Sequence, residues 1–245
     1  MSKTILTNVR TFAVGVDLTG NSNKIELSSE IEDKDATNYA SQGWKEVLGG
    51  LGSAEISGEG QWEAGDLTKV DDGAWAALGG VGPWSVSANN AANVGDLAYF
   101  TQALSCKYKV GDAVGEIAPW EASAKSSWPL VRGQFAHPPG TARTTTGTGT
   151  ALNVGAVTAG KRLYAALHVL SASGTTPSLT ARVESAPDNT FASPTTRLTF
   201  DAATAVGGQS LRTAGTAITD AWWRVAWAIT GTAPSFLFVA ALGIQ

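Results

Sequence analysis

Residues 24–32 read KIELSSEIE, and residues 54–64 read AEISGEGQWEA. In the first stretch Ile25, Leu27 and Ile31 share one side of an extended chain, and Lys24, Glu26, Ser28, Glu30 and Glu32 share the other. In the second, Ile56 and Trp62 oppose Glu55, Ser57, Glu59, Gln61 and Glu63. Successive side chains of a strand point to opposite faces, so this alternation marks strands with one dry and one wet face. If the two strands are neighbours, one sheet surface is lined by carboxylates.

The same test applied outward predicts sheets almost everywhere. TFAVGVDL at 11–18 puts Phe12, Val14, Val16 and Leu18 on one face, and further strands fit near 83–88, 98–110, 114–124 and 129–136. One helix fits at about 66–78, with Asp66 as N-cap, Leu67, Val70, Trp75 and Leu78 near one stripe, and Gly79-Gly80 as its stop. Later strands are predicted at 150–157, 162–171, 178–186, 195–201, 222–230 and 235–243. The turn signals SASGTTP, SAPDN, AVGGQ and TGTAP separate them, and no exact internal repeat is visible. The expected class is all-β with one short helix: a sandwich or barrel followed by a jelly-roll-like β-sandwich.

Composition supports two units. Of 245 residues, 43% are hydrophobic and 16% charged, against about 25% charged in an average globular protein. Residues 1–139 carry ten Lys/Arg and seventeen Asp/Glu, whereas 140–245 carry seven and four. The balance changes at His137-Pro138-Pro139-Gly140, followed by the Thr/Gly run TARTTTGTGT. Tandem proline cannot continue a ladder, and the run reads as a linker. The expected domains are 1–139 and 140–245.

Several function classes recede. The chain contains no apolar run long enough for a membrane helix, and its start, MSKTILTNVRTF, lacks an apolar signal region. The single Cys106 has no internal disulfide partner, and two histidines suit no usual zinc site. A net charge of −4 argues against gripping DNA through its phosphates. No phosphate-binding loop, serine-hydrolase elbow or EF-hand is present. His137 is expected in the linker, His168 as a satisfied sheet histidine, and Cys106 as a small buried hydrophobe beside Leu104, Tyr108 and Val110. The run Glu30-Ile31-Glu32-Asp33-Lys34-Asp35 and the pair Asp71-Asp72 are expected to be solvated. A glycosidase needs two carboxylates to meet in a pocket, and nothing in the sequence favours one. Trp222 and Trp223 are adjacent, so one belongs to the core and the other, Trp222, to an outer surface. Trp44, Trp62, Trp75, Trp84, Trp120 and Trp128 mostly serve packing. No catalytic residue, metal or cofactor is expected.

The acidic faces are the unusual feature. Like charges across a ladder are unfavourable by a few tenths of a kcal/mol each. A negative lining would let a polyanion pass without being held.

Residues 5–137 resemble the tail-tube (major tail) proteins of long, non-contractile-tailed phages. The resemblance rests on RTFAVGVDLTG leading into KIELSSEIEDKDATNYASQGWKEVLGGLG, with the Gly43–Leu51 stretch GWKEVLGGL. DDGAWAALGG, FTQALSCKYKVGDAVGEI and PLVRGQF continue it. It implies hexameric rings stacked into a tube, made in the bacterial host and carried in the virion with other tail proteins. DNA would pass through the bore without specific binding, no membrane would be involved, and Glu26, Glu30, Glu55, Glu59 and Glu63 would line the channel. A long loop at about 32–52 would reach a neighbouring subunit through Asp33, Lys34, Asp35, Tyr39, Trp44, Lys45 and Leu48. The second domain would project outward. Its size leaves a second expectation: a capsid-decoration, minor tail or carbohydrate-binding adhesion protein acting through that domain.

Overall fold

The two alternating segments are neighbours. In this computed structural model, which describes residues 7–66, 69–89, 91–111 and 115–245, β3 (Ser22–Asp35) runs antiparallel to β4 (Val47–Gln61). Before them, the single strand expected at 11–18 is a hairpin of β1 (Arg10–Ala13) and β2 (Val16–Asp17). It turns at Val14 and Gly15, both at positive φ (46° and 89°), as a two-residue hairpin turn requires. After β4 come α1 (Val70–Ala77), β5 (Val81–Ser87), β6 (Leu97–Val110), β7 (Pro119–Ser126) and β8 (Val131–His137). Helix α1 begins after Lys69, not at Asp66, whose carbonyl instead accepts the Lys69 N–H. Leu67 of the predicted stripe and residue 114 of a predicted strand lie outside the described residues.

The remaining strands are β9 (Gly147–Thr148), β10 (Leu152–Asn153), β11 (Leu163–Ala186), β12 (Thr195–Thr199), β13 (Gly207–Arg212) and β14 (Trp222–Ile244). The fold is all-β, one antiparallel sheet system whose main path runs β12-β11-β14-β8-β6-β5-β1-β2. β3, β4 and β7 branch from it through β6.

Two pairs of predicted strands are fused. Strands expected at 162–171 and 178–186 form β11, and those at 222–230 and 235–243 form β14. The supposed turns are corners in a two-stranded ribbon. SGTTPS at 173–178 and TGTAPS at 230–235 lie across from each other, and the ladder shifts register there. Each motif places its glycine at positive φ, Gly174 at 116° and Gly231 at 122°, with Thr176 and Ala233 at 48° and 49°. The bend folds the ribbon onto itself. Leu163, Leu167 and Val169 before the corner share one cluster with Leu179, Ala181 and Val183 after it. Trp223, Val225, Trp227, Phe236 and Phe238 complete that core.

β13 falls where a turn is expected, because its first residues serve close approach rather than side-chain burial. A Cβ on Gly208 would meet Pro83 at 2.6 Å, and one on Gly15 would meet the Gly207 carbonyl oxygen at 2.5 Å. Here the two parts of the chain touch backbone to backbone.

They are joined by more than this contact. β8 pairs with β14, and Phe12, Phe100 and Phe135 share a cluster with Tyr164, Leu170 and Val239. His168 is buried at the seam. Its Nδ1 accepts the Gly15 N–H at 3.3 Å, so Nε2 carries the proton and donates to Ser85 Oγ at 2.8 Å. Burial lowers its pKa to about 3. His137 lies in β8, not in a linker, and stacks on Phe238 with ring centroids 4.0 Å apart. It accepts from Arg143 Nε and donates to the Phe238 carbonyl, and burial lowers its pKa to about 4. The Thr/Gly run is likewise pinned along β14. Arg143 exchanges backbone bonds with Phe236, and the Thr145 carbonyl accepts the Trp227 indole N–H.

Candidate assembly surfaces

The first surface is the wet face of β3, β4, β7 and β6. Register fixes its composition, because residues directly opposite in a ladder share a face. One row across the four strands is Lys24, Glu59, Glu121, Lys109, and the next is Glu26, Ser57, Ser123, Lys107. A third begins Ser28, Glu55, Lys125, and Glu30 lies beyond it opposite Ser53. Glu26, Glu30, Glu55 and Glu59 therefore share one face, but with Glu121 and four lysines. Lys24 bridges Glu26 and Glu59 at 3.1 and 3.5 Å, and Lys107 meets Glu121 at 2.5 Å. Glu63 falls past the end of β4, where it accepts from Asn21 and Lys69.

Sequence reasoning missed the lysines on this face, although the alternation of Lys107-Tyr108-Lys109 signals it. Cys106 hides the pattern. The ladder to β7 slips between Ser105 and Lys107, so Cys106 is an exposed bulge residue rather than a buried hydrophobe. The bulge also separates exposed Leu104 from Tyr108, which packs on the inner core with Ile56, Trp84 and Trp120.

Glu59 and Glu121 line one open cleft of about 300 Å³ with Lys109. As a glycosidase pair they fit poorly, because one carboxyl must hold its proton near neutral pH. The hydrogen bond from Lys107 instead holds Glu121 below the ordinary carboxyl range. Asp71 stays partly exposed, as expected, but it is also bonded. It accepts from Tyr108 Oη at 2.6 Å and Trp62 Nε1 at 2.9 Å, and these bonds lower its pKa. Among the described residues no group of three or more His, Cys, Asp or Glu is placed to hold a metal, and no helix is long and apolar enough to cross a membrane.

The second surface is an arm. The segment expected as a loop at 32–52 is mostly ladder, since β3 continues to Asp35 and β4 starts at Val47. The core ends near Ala54, opposite Ser29. From there the hairpin extends roughly 20 Å at ~3.3 Å per residue. Its tip is closed by its own bonds. Asn38 Oδ1 accepts the Ala40 N–H, Ser41 Oγ accepts the Asn38 N–H, and Thr37 Oγ1 accepts the Glu46 N–H. On this frame Tyr39, Trp44, Val47, Leu48 and Leu51 are exposed, Trp44 at 81% and Leu51 at 82%. Ile31, expected on the dry face, is exposed as well, because the inner core does not reach it. Asp33 pairs with Lys45 across the arm, and Lys34 pairs with Glu32.

Apolar exposure is not shared evenly. Among the described residues the thirteen exposed large hydrophobic side chains all lie between Ile31 and Ile117. Trp62 and Trp75 are among them, while Trp84 and Trp120 are buried. In the later part, Trp223 is fully buried and Trp222 is half-buried beside Ala186 and Asn153. Next to it Glu184 is buried between Arg182 and Arg224, at 2.7 and 2.8 Å. Burial pushes this carboxyl up, and the two guanidinium bonds outweigh it, so its pKa ends below the ordinary value.

No protein-family model matches the chain. No curated protein matches it either. Solved structures are similar to it. A chain from the virion of a native gene transfer agent particle covers 46% of this chain and 84% of its own, at 24% identity and a TM-score of 0.37. A chain from the tail of an empty gene transfer agent particle, with C6 symmetry, covers 51% of this chain and 93% of its own, at 20% identity and a TM-score of 0.41. The Dit protein of phage SPP1, described as a paradigm of hub adsorption apparatus in phages infecting Gram-positive hosts, covers 97% of this chain and 99% of its own. Its identity is 12% and its TM-score 0.34.

Proposed function

We propose that this chain is a structural virion protein, a tail-tube subunit that assembles with itself into stacked hexameric rings. The observation that carries the reading is the distribution of apolar surface. Every large exposed hydrophobic side chain among the described residues belongs to the segment 31–117, and five of them, with Ile31, sit on one bare arm. A monomer gains nothing from presenting Trp44 and Leu51 to water, whereas an interface anchor does. The order of segments shared with tail-tube proteins supports the same conclusion.

On this reading residues 1–139 form the assembling unit and 140–245 the outward unit, whose large apolar side chains are buried or half-buried. Asp33, Lys34, Asp35, Tyr39, Trp44, Lys45 and Leu48 engage a neighbouring subunit. The wet face with Glu26, Glu30, Glu55 and Glu59 lines the bore, where lysines temper the charge without making the lining basic. DNA would slide over such a surface with few counterions to release. The test is negative-stain electron microscopy of concentrated protein beside its mass by light scattering. Rings or hollow tubes are expected. A chain that stays monomeric at every concentration, with its arm folded against its own body, would overturn the reading and move attention to Trp222 and an adhesion or decoration role.

A further inference from the structure

The outer face of the later strands carries charges that its core does not need. Residues directly opposite in a ladder share a face. Glu184 of β11 lies between Arg224 of β14 and Thr196 of β12, and Arg182 stands two residues before it on the same face. Next along β14 is Trp222, opposite Ala186 and Asn153. The intervening Val183, Trp223 and Val225 belong to the core on the other face.

Glu184 is the hub of this face. It is 4% exposed, and each of its oxygens accepts from one arginine. Oε1 takes Arg182 Nε at 2.7 Å, and Oε2 takes Arg224 Nε at 2.8 Å, with Arg224 Nη2 also at 2.8 Å. The Arg224 guanidinium carbon lies 4.3 Å from the ring centroid of buried Phe191. Phe191 comes from the loop between β11 and β12 and has a φ of 51°, a region that bulky residues seldom enter. Asp188 of the same loop is occupied by the N–H and hydroxyl of Thr190. Two arginines thus meet one buried carboxylate, and the cluster keeps a net positive charge.

Donors are left over. Neither terminal nitrogen of Arg182 has a partner among the described residues, nor has Nη1 of Arg224. The two side chains are 34% and 19% exposed, so the spare N–H groups can be reached from solvent. A buried ion cluster is often no more stable than apolar residues of the same volume. Folding alone therefore gives no reason to keep three charges here.

We infer that this face binds a carboxylate-bearing sugar chain. The planar forks of Arg182 and Arg224 match a carboxylate, and Glu184 holds them in place before a ligand arrives. Trp222 is half-buried and two residues from Arg224, roughly 7 Å along the strand at ~3.3 Å per residue. One saccharide unit can therefore rest on the indole while its carboxylate meets the arginines. Thr196 and Asn153 stand on the same face and can take up hydroxyl groups. The wider charge agrees, since residues 140–245 carry seven Lys/Arg against four Asp/Glu. The site lies wholly in those residues, so it goes beyond the tube reading and stands or falls apart from it.

The experiment titrates the full-length protein with trigalacturonate by isothermal titration calorimetry, beside maltotriose and inorganic phosphate. Saturable binding of the acidic trisaccharide is expected, weakening as salt is raised. Arg182→Lys keeps a charge for Glu184 but loses the fork, and Trp222→Leu keeps apolar bulk but loses the ring. Each is expected to weaken binding at least tenfold with its urea midpoint unchanged. Should one midpoint shift, the other variant carries the test. The inference is overturned by a wild type that does not bind trigalacturonate, or by unchanged affinity in a variant that keeps its midpoint. Equal affinity for maltotriose would remove the role of the arginines, and equal affinity for phosphate would leave a plain anion site; either overturns it too.

Discussion

The corner of the β11–β14 ribbon gives a sharp test of the fold. In Gly231→Ala the new Cβ would lie 2.8 Å from the Thr176 carbonyl oxygen and 3.0 Å from Pro177 Cα, both backbone atoms that cannot swing aside. Position 231 also holds φ at 122°, a region that L residues rarely enter. Strained backbone of this kind costs about 1–3 kcal/mol, and forced overpacking about 1–3 kcal/mol more. We expect a loss of roughly 2–6 kcal/mol, a large part of the ~5–15 kcal/mol stability of an ordinary domain. Gly174→Ala should behave alike, since its Cβ would lie 2.7 Å from the Ala233 carbonyl oxygen. Two controls separate strain from contact. Gly43 has φ 85° with open space around it, so its alanine variant should lose only about 1 kcal/mol. Gly140 has open space and no positive φ, so its variant should stay within about 0.5 kcal/mol of wild type. Urea unfolding of the four variants, followed by tryptophan fluorescence, measures the series. Equal midpoints for G231A and G43A would refute the backbone-on-backbone corner.

Three further expectations concern the seam, the arm and the buried carboxylate. His137 and His168 are held neutral down to about pH 4 and about pH 3, whereas in the unfolded chain they take up protons near 6.5. Stability is therefore complete above 6.5 and falls as pH drops toward those folded values, by up to ~1.4 kcal/mol per pH unit for each ring. His168→Gln should roughly halve the slope of the unfolding midpoint between pH 6.5 and 5, and an unchanged slope would remove His168 from the account. Trp44→Ala should leave the subunit's stability within about 0.5 kcal/mol yet abolish assembly seen by light scattering; assembly at the wild-type concentration would acquit the arm. Glu184→Gln removes a buried charge facing Arg182 and Arg224, and chemical denaturation should show a loss of about 1–3 kcal/mol. A neutral result would mean that solvent, not Glu184, satisfies those guanidinium groups.

Period-two alternation brought β3 and β4 into view, because near the core each has one dry and one wet face. It failed where a strand departs from a simple pleat. Cys106 is displaced by a bulge, and nothing in LSCKYKV announces the slip. Gly207 and Gly208 resemble a turn, but they are strand residues thinned to let another backbone come close. The corner glycines also resemble turns, since a bend and a reversal ask the same φ of the chain. His137 was misplaced because Pro138-Pro139 end the ladder without ending the packing. On the wet face, the glutamates were legible within each strand. The lysines belong to strands far off in sequence, and only register brings them into the same rows.

The bent ribbon has a consequence for how the chain is made. Leu163 finds its partner in Ile244, and Ala186 in Trp222, so β11 is complete before any of β14 has been synthesised to pair with it. β8 waits for the same strand. Such long-range pairing folds slowly and leaves apolar edges uncovered meanwhile. By then the arm with Trp44 has already emerged. A nascent chain thus displays the exposed apolar side chains of its arm before its own interior is closed.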